Sequence, residues 1–495
     1  MSFNSNDLTV VAPELVTLAL AVLVLLAELV ITRQGAVLQA ITVIGLALVM
    51  AVAILTGIQP EGAFNGMISG GGFSLFIKIL LVGVALLTAL MGGDYFRSTG
   101  VRQGEFYSLL LLCTVGMMAL ATAADLVVLF IGLETMSIAL YALTGIRSER
   151  ARSSEAALKY LLLGAFATGF LLYGIALIYG ASGGKTQFAA IEEALSAYSA
   201  TNPAPVTLYA GIGLLMIGFL FKVAAVPFHF WSPDVYQGAP TPVTAFMSAG
   251  PKAAALIAFL RLFGWTFPNL APAWGPILGV IAAATMIVAN IIALAQSDLK
   301  RMLAYSSVAH AGYLLLGVLV AGNPAVRQAA AAGMLFYLTG YYLMNIGAFT
   351  IAILISRAQG ERGDYQIDDY QGLASRHPGL ALAMTLFMVS LAGIPPTAGF
   401  FGKFYLFSAA VAAGHITLVV IAVLMSVVSA FYYLRLVVFM YMKPAVSTYK
   451  VITAPALATV IIICVAGVIY FGIMPGGLMQ WAEAGSRMLI LPTAY

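Results

Sequence analysis

Four ionisable side chains stand inside stretches of sequence that are otherwise almost wholly apolar. Glu134 lies in LFIGLETMSIALYAL, Lys222 in GFLFKVAAV, Lys252 in MSAGPKAAAL and Lys403 in GFFGKFYLF. A charged side chain at the centre of a bilayer costs roughly 2.5–3.5 kcal/mol on insertion scales, so such residues need a reason. Desolvation and neighbouring cations favour the neutral amine over the ammonium, which lets a buried lysine load and release a proton. We therefore predict proton transfer, with Glu134 and Lys252 both within reach of Lys222.

A set of structural ion pairs is the alternative for these residues. Buried ion pairs seldom stabilise a protein relative to apolar packing. The three lysines also outnumber the single carboxylate, which would leave two cations without an acidic partner. The residue types favour proton transfer, with Glu134 as a carboxylate that holds a lysine proton when near and releases it when moved away.

Proline breaks accompany two of the lysines. Pro227 follows Lys222 by five residues and leaves a carbonyl about one turn upstream without its partner. The stretch AGIPPTAGFFGKF breaks the chain at Pro395 and Pro396, ahead of Lys403. Paired interruptions in corresponding halves of a chain indicate the mid-membrane ion site of a transporter. A plain proline kink is the alternative.

The elements that carry these residues must be membrane helices. Of the 495 residues, 62% are hydrophobic and 8% are charged, whereas soluble chains are about 25% charged. Uncharged stretches of about 18 residues or more recur, and each can cross about 30 Å of hydrocarbon as a helix. The apolar runs are continuous instead of alternating, which excludes a transmembrane barrel. The predicted fold class is an all-α polytopic membrane protein.

Turn residues and charges divide the chain into about fourteen spans. They are predicted near 10–31, 37–57, 73–92, 105–122, 124–145, 156–180, 206–226, 241–264, 273–295, 299–321, 327–356, 380–413 (interrupted), 416–441 and 452–473. The N-terminal stretch lacks a basic region and an A-x-A site, so we expect a retained helix there instead of a signal peptide.

Weak internal similarity predicts two halves. ETMSIALYAL (134–143) aligns with SSVAHAGYLL (306–315), a separation close to five spans. A five-helix unit repeated in tandem is inverted in the membrane, because an odd number of spans reverses its direction. The predicted organisation is an N-terminal three-helix segment (1–100), a first repeat of helices 4–8 with broken helix 7 (101–265), a second repeat of helices 9–13 with broken helix 12 (266–441), and helix 14 with a tail (442–495).

The distribution of lysine and arginine predicts the orientation. The odd-numbered loops hold Arg33, Arg97, Arg102, Arg147, Arg150, Arg152, Lys159, Lys300, Arg301, Arg357, Arg362, Arg376, Arg435, Lys443 and Lys450. The even-numbered loops and the tail hold Lys185, Arg261, Arg327 and Arg487. The positive-inside rule then places the odd loops in the cytoplasm and both termini on the periplasmic or outer side. Lys78, close to a span end, is expected to snorkel.

Redox cofactors have no recognisable binding motif in the chain. Cys113 and Cys464 fall in predicted helices without metal-ligand spacing, and we expect them to be small apolar core residues. The sequence has no G-x-G-x-x-G between a strand and a helix and no haem pair. Basic residues are scattered among short loops, which argues against nucleic acid. We expect no cofactor and no metal in this chain.

Three stretches resemble the antiporter-like membrane subunits of respiratory complex I. They are FKVAAVPFHFWSPDVYQGAPTPVTAFMSAGPKAA, QSDLKRMLAYSSVAHAGYLLLG and AGIPPTAGFFGKFYLF. PDVYQGAPTPV and GIPPTAGFFGKF are most similar to subunit N of bacterial NADH–quinone oxidoreductase, whereas subunit M tends to carry a glutamate where Lys403 stands. The resemblance covers nearly the whole chain.

This resemblance implies roles for the buried charges. Glu134 corresponds to the glutamate of helix 5 and Lys222 to the lysine of broken helix 7. Lys252 corresponds to the bridging lysine of helix 8 and Lys403 to the terminal lysine of broken helix 12. Lys159 matches a basic residue common at the start of helix 6.

Other polar residues receive their roles from position in the family. His229 and His310 fall where the family often has polar residues on its central axis, and a packed ring is an equal alternative for each. His229 would be a gate toward the cytoplasm if it acts. Tyr236, Tyr305 and Ser306 would extend a hydrogen-bonded water chain.

The resemblance further implies a function and its partners. The chain would be a proton-translocating membrane-arm subunit of NADH–quinone oxidoreductase in the bacterial inner membrane, and so part of a translocase. Electrons would pass from NADH to quinone in partner subunits, which would hold flavin, iron–sulfur clusters and quinone. Expected partners are subunit M, small subunits such as K, A and J, and membrane lipids.

Two other functions stay open on the sequence. A Mrp-type cation/proton antiporter subunit would share the lysine and the broken helices, and a structural membrane scaffold would need neither. The subunit N signatures favour complex I over both. Protons and sodium ions are equally compatible with the residues.

Overall fold

A computed structural model describes residues 5–31, 35–57, 62–196, 198, 204–360, 365–445 and 451–487. Arg33, Arg362 and Lys450, which entered the orientation argument, lie outside the described residues. Within the described ranges the regular elements are helices, accompanied by isolated β-bridges between loops. The prediction of an all-α fold is confirmed.

The helices follow one another as a serial bundle. In chain order they are α1 (Ser5–Val10), α2 (Ala12–Val30), α3 (Gly35–Thr56), α4 (Gly71–Thr99), α5 (Gln103–Thr122), α6 (Leu126–Thr144), α7 (Ala151–Ala181), α8 (Phe188–Leu195), α9 (Val206–Lys222), α10 (Trp231–Gly238), α11 (Thr241–Arg261), α12 (Ala271–Leu294), α13 (Leu299–Ala321), α14 (Arg327–Ala358), α15 (Leu373–Arg376), α16 (Pro378–Ala392), α17 (Ala398–Ala412), α18 (Ile416–Met442), α19 (Pro455–Ile473) and α20 (Pro475–Arg487). A π-helical turn, Leu262–Thr266, extends α11.

Membrane-length helices dominate this order. Twelve helices in the described part of the chain are long and apolar enough to cross a membrane. The two predicted broken spans are each built from two shorter helices, α9 with α10 and α16 with α17. Continuous and broken helices together follow the order of the predicted spans. The polytopic membrane fold is therefore confirmed.

Both interruptions lie at the predicted prolines. Residues 223–230, with Pro227 among them, separate α9 from α10, and residues 393–397, with Pro395 and Pro396, separate α16 from α17. A proline has no N–H to donate to the preceding turn, so the helix cannot run through it without losing a hydrogen bond. The first helix of each pair therefore ends inside the bundle. The second helix of the pair begins after the break.

The same loop structure occurs in each predicted repeat. The side chain of Asp125 accepts hydrogen bonds from the first amides of α6, and that of Asp298 accepts one from the first turn of α13. Each aspartate also pairs in an antiparallel bridge with a glutamine beyond the next long helix, Gln187 after α7 and Gln366 after α14. The matching corners support an inverted duplication of five helices. The division of the chain at 101, 266 and 442 stays a prediction.

Close helix contacts are also repeated. A Cβ added at Gly116 of α5 would lie 2.3 Å from the backbone nitrogen of Met136 in α6. One added at Gly312 of α13 would lie 2.9 Å from that of Met286 in α12. Small residues let membrane helices approach until their backbones touch. Such close packing holds the helices together because burying apolar side chains against protein gains nothing over leaving them in lipid. Each repeat therefore holds its first two helices against each other rigidly.

Several basic residues lie elsewhere than the sequence predicted, among them Arg435, which belongs to α18. Arg261 and Lys300, which we assigned to loops, belong to α11 and α13 and are each 1% exposed. Lys78 does not snorkel, because it is buried and its ammonium lies 2.9 Å from the carboxylate of Glu14. Carbonyl or carboxylate oxygens next to each cation replace the water it would otherwise seek.

Several short helices have no counterpart among the predicted spans, and α8 and α20 are two that lie wholly in a predicted loop or the tail. The loop after α7 contains α8, and the chain continues after α19 into α20, which packs on α4 through Trp481 and Phe76. The ring centroids of that pair are 4.3 Å apart. Both helices are too short to cross a membrane and were not visible as apolar spans.

The break between α16 and α17 depends on a glycine, which generates a test. A Cβ at Gly399 would lie 1.8 Å from the carbonyl oxygen of Ser390, so Gly399→Ala must push the half-helices apart. We expect a loss of about 1–3 kcal/mol in stability, as for other overpacked sites. Thermal unfolding of the purified protein in detergent measures it.

The matched control is Gly169→Ala on α7, where an added Cβ meets nothing within 4 Å. This change should leave the midpoint unchanged or raise it slightly, because alanine favours a helix over glycine by about 0.5–1 kcal/mol. Equal midpoints for the two variants would contradict the tight fit at Gly399.

Candidate functional site

Lys222 ends the first half of a broken helix and is held by hydroxyl groups. Its side chain is buried at the last residue of α9, and its Nζ donates to Ser137 Oγ at 2.7 Å and to Tyr141 OH at 3.2 Å. The ammonium also lies 5.5 Å from the centre of the Tyr141 ring. Ser137 and Tyr141 stand on the face of α6 that also carries Glu134, because residues three, four and seven apart share one face.

Glu134 does not touch a lysine in this arrangement. Its carboxylate accepts a hydrogen bond from Thr168 Oγ1 of α7 at 2.9 Å, and the residue is partly exposed. None of the ion pairs among the described residues joins Glu134 to Lys222. Ser137, one turn along α6, makes the contact that we had assigned to the carboxylate. The structure thus brings Glu134 to the edge of the Lys222 site and no closer.

Lys252 forms a second site, between α11 and α13. Its buried ammonium donates to the carbonyl oxygen of Ser307 at 2.8 Å and to the Ser307 hydroxyl at 2.6 Å. The hydroxyl groups of Tyr236 of α10 and Tyr341 of α14 also lie close to the Ser307 side chain. Ser307 is therefore the junction at which Lys252 meets the second half of broken helix 7.

Lys403 forms the third site, at the break of helix 12. Its ammonium donates to the carbonyl oxygens of Leu391 at 3.2 Å and Ala392 at 3.0 Å, and to Ser426 Oγ of α18 at 3.2 Å. The two carbonyls belong to the last turn of α16, whose next residues cannot use them because the helix stops there. The negative end of a helix dipole favours a cation at that position.

The first and third sites are equivalent in the two repeats. Lys222 lies over the ring of Tyr141, and Lys403 lies over the ring of Tyr313 at 5.0 Å. The two tyrosines are the pair that the internal alignment matched. In each repeat a lysine beside the break of a helix therefore packs on a tyrosine of the second helix of that repeat. Aromatic faces attract cations, and more strongly when water is excluded.

His310 connects hydroxyl groups between the Lys252 and Lys403 sites. Its Nδ1 lies 2.7 Å from Tyr337 OH, and its Nε2 lies 3.2 Å from Tyr433 OH. Tyr433 also shares a hydrogen bond with Ser306 Oγ. An imidazole can accept a proton on one nitrogen and release it from the other. The expected relay positions of His310 and Ser306 therefore fall in one network, on the face of α13 that carries Ser307.

The remaining candidates are not part of these networks. His229 lies in the break between α9 and α10, partly exposed, and its buried Nδ1 has no hydrogen-bond partner. Tyr305 is partly buried and packs against the apolar core. Lys159 lies on an exposed part of α7, where it pairs with Glu155 at 2.7 Å and with Asp234 at 3.0 Å. Their assignments to the proton path stay predictions.

A cavity of about 670 Å³ borders the Lys403 site between α17 and α18. Its lining is mostly apolar, and Lys403 and Ser426 supply polar groups at one side. Phe404 and Val427, which also line it, are exposed at the surface of the chain. The third lysine therefore has open space beside it that reaches residues exposed at the surface.

Metal or cofactor ligands do not cluster around the lysines. Among the described residues, no group of three histidine, cysteine, aspartate or glutamate side chains could hold a metal ion. Cys113 and Cys464 are buried as free thiols. The chemistry that the geometry offers is transfer of protons between amines, hydroxyls and one imidazole.

Sequence reasoning missed the hydroxyl partners. Ser137, Ser307 and Ser426 each bind one of the lysines, and Tyr337 and Tyr433 bind His310. A signal existed for Ser137, which follows Glu134 by three residues and so shares its helical face. Ser307 and Ser426 lie on different helices from the lysines that they bind, so spacing along the sequence could not identify them.

Comparison with known proteins places this geometry in a family. Residues 123–429 match the family described as NADH:quinone oxidoreductase/Mrp antiporter, TM. NADH-quinone oxidoreductase subunit N from Trichlorobacter lovleyi is 43% identical and aligned over 98% of both chains. Subunit N 1 from Herpetosiphon aurantiacus is 45% identical over 97% of this chain and 98% of the relative.

Solved structures share the fold. A chain of respiratory complex I from Thermus thermophilus is 36% identical and superposes with a TM-score of 0.75, covering 94% of this chain and 98% of that one. A chain of the Mrp complex from Dietzia sp. DQ12-45-1b is 22% identical with a TM-score of 0.80 over 99% and 98%, a likeness of fold alone. The chain belongs to the NADH:quinone oxidoreductase/Mrp antiporter family of membrane subunits.

Proposed function

We propose that the chain is a proton-translocating membrane subunit of a bacterial NADH–quinone oxidoreductase, of the subunit N type. The observation that carries this proposal is the set of three buried lysines, each bound to a neutral oxygen and connected to further hydroxyl groups. Full-length similarity to subunits N at about 43% identity supports it. A structural scaffold would have no use for ammonium groups that lack acidic partners.

The proton steps follow from the hydrogen bonds. A hydroxyl can accept a proton from an ammonium while it passes its own proton onward. Ser307 is placed to relay for Lys252. At Lys222 the Ser137 hydroxyl itself donates to the carbonyl oxygen of Leu133, so Tyr141 is the hydroxyl that can pass the proton onward. From α13 the proton passes by Ser306, Tyr433 and His310 toward Lys403. Water must complete the path between the sites, because no hydrogen bond between described side chains joins Ser137 to Ser307, Ser307 to Ser306, or His310 to Lys403.

Partner subunits supply the energy in this proposal. Electron transfer from NADH to quinone would take place on flavin, iron–sulfur clusters and quinone held by other subunits, and this chain would contribute no redox group. Its neighbours are subunit M and small subunits such as K, A and J. The complex lies in the bacterial inner membrane, with both termini of this chain on the periplasmic side by the positive-inside rule.

An Mrp-type antiporter subunit is the less supported alternative. It would use the same lysines and the same breaks, so the site does not separate the two. The sequence identity to the Mrp chain is 22%. It is 36% to the complex I chain and about 43% to subunits N. Co-purification with flavin and iron–sulfur subunits would distinguish the two assemblies.

Removing the first lysine tests the proposal. Lys222→Met keeps an apolar chain of similar length at a buried position, so we expect the complex to assemble. NADH-driven proton pumping should fall by about 100-fold or more, the lower end of the range for a lost proton-transfer group. Quenching of a pH-sensitive acridine dye in inverted membrane vesicles measures pumping, and a native gel measures assembly.

Lys185→Met is the matched control, because Lys185 is exposed in the loop after α7. It should pump like the unaltered complex. An assembled Lys222→Met complex that pumps normally would remove the lysine path from the mechanism.

Tyr433→Phe tests the relay on α13. The change removes one hydroxyl that binds both Ser306 and His310, and leaves the ring in place. We expect pumping per NADH oxidised to fall by about 10-fold or more. Tyr441→Phe, on an exposed face of the same helix, is the control and should have no effect. Identical pumping by both variants would place the path elsewhere.

A further inference from the structure

Arg261 is a fully buried cation that the lysine path does not use. It ends α11, is 1% exposed, and its Nη1 donates to the carbonyl oxygens of Ala121 at 3.0 Å and Ala123 at 2.6 Å, at the end of α5. Its Nη2 donates to Ser69 Oγ, and the guanidinium lies 5.8 Å from the Phe73 ring. No ion pair of the described residues involves it. Its charge is thus buried among neutral groups.

Arg435 occupies the equivalent place in the second repeat. Its Nη1 donates to the carbonyl oxygen of Leu294 at 3.0 Å and its Nη2 to that of Gln296, at the end of α12. As at Arg261, the two acceptor residues are separated by one position, and the buried Nε of each arginine has no partner. The duplication has therefore kept an arginine that caps the first helix of each repeat.

Both arginines stand at the same distance from a lysine site. Arg261 follows Lys252 by nine residues on α11, and Arg435 follows Ser426, the partner of Lys403, by nine residues on α18. Nine residues of helix span about 13 Å. Because a five-helix repeat is inverted relative to the next, the two arginines lie toward opposite ends of the bundle.

The two ends of the first repeat differ in their surroundings. Beyond α10, opposite to Arg261, a cavity of about 150 Å³ is lined by ionisable groups that include Glu155, Lys159 and Asp234. Lys300 and Arg301 bind this end of α10 and Asp234. One end therefore offers groups that can exchange protons with water, and the other end presents a buried guanidinium.

A guanidinium differs from a lysine ammonium in one respect that decides its use. It stays protonated in proteins, so it cannot pass a proton on. A fixed positive charge in a region of low dielectric repels an approaching proton, as arginines do in channels that exclude protons. Capping of a helix end is the alternative role, and both the hydrogen bonds and the interaction of the cation with the helix dipole would serve it.

We propose that Arg261 and Arg435 are fixed-charge barriers, each closing one end of its repeat to protons. A proton at the lysine sites then enters or leaves only through the end that the arginine does not occupy. This inference rests on the proposed proton translocation and adds the reason why the path does not leak.

Passive proton permeability tests the barrier without turnover. The intact complex is reconstituted in vesicles without NADH, a potassium diffusion potential is imposed with valinomycin, and proton entry is followed with an internal pH dye. For Arg261→Met we expect entry to be faster by about tenfold or more, because a unit charge near the path is lost.

A double variant identifies the leak. Adding Lys252→Met to Arg261→Met should return the permeability to near the unaltered rate, since the leak runs through the lysine sites. The barrier is overturned by an assembled Arg261→Met complex that does not leak, or by a leak that persists in the double variant.

If Arg261→Met does not assemble, Arg435→Met is the second variant. Arg435 is partly exposed, so we expect its replacement to disturb the packing of the helices less. It should leak in the same assay, and a tight vesicle would count against the proposal. If Lys222→Met pumps normally, the proposed function fails, and that result is separate from any of the permeability outcomes.

Discussion

Neutral oxygens hold the three buried lysine ammonium groups, and the rest of the site depends on this. Lys222, Lys252 and Lys403 each donate to a serine hydroxyl, and none of them forms an ion pair with a carboxylate among the described residues. A carboxylate would stabilise the charged form strongly and keep the proton in place. A hydroxyl satisfies the N–H group of the ammonium and can also donate to the neutral amine. The same partner therefore serves both protonation states.

The break between α16 and α17 supplies acceptors that a continuous helix would hide. At the Lys403 site, the last carbonyls of α16 point at the ammonium because α17 resumes only after Pro395 and Pro396. The duplication places a lysine over a tyrosine in each repeat, so one design of site occurs twice with opposite orientation. Glu134 stands at the edge of the first site, where a small movement of α6 against α7 would change its distance from Lys222.

Charged residues in apolar runs were predictable, and their neutral partners were not. A lysine or glutamate inside a span stands out because burial is costly, so the sequence identified the lysines, Glu134 and the proline breaks. Serine and tyrosine are common in membrane helices and cost little, so nothing distinguished Ser307 or Tyr433 from their neighbours. We assigned Arg261 to a loop because it lies at the end of a helix. The sequence alone does not distinguish a loop residue from a buried arginine that caps a neighbouring helix.

The contact between Glu134 and Lys222 could not be read from spacing either. The two residues lie on different helices, and their separation is set by the rotation of α6 and by the hydrogen bond of Glu134 to Thr168. Helix order, breaks and the inverted repeat followed from hydrophobic length and from proline, whereas the side-chain rotamers at the site followed from packing. Sequence therefore predicted which lysines are buried inside the helices and left open how they are connected.

The central claim is that protons can move between the lysine sites. A structure of the intact complex at a resolution that shows ordered water tests it most directly. We predict water molecules that connect Ser137 and Tyr141 at the Lys222 site with Ser307 at the Lys252 site, and that continue beyond His310 to Lys403. A dry, closely packed apolar barrier between Lys222 and Lys252 would contradict it.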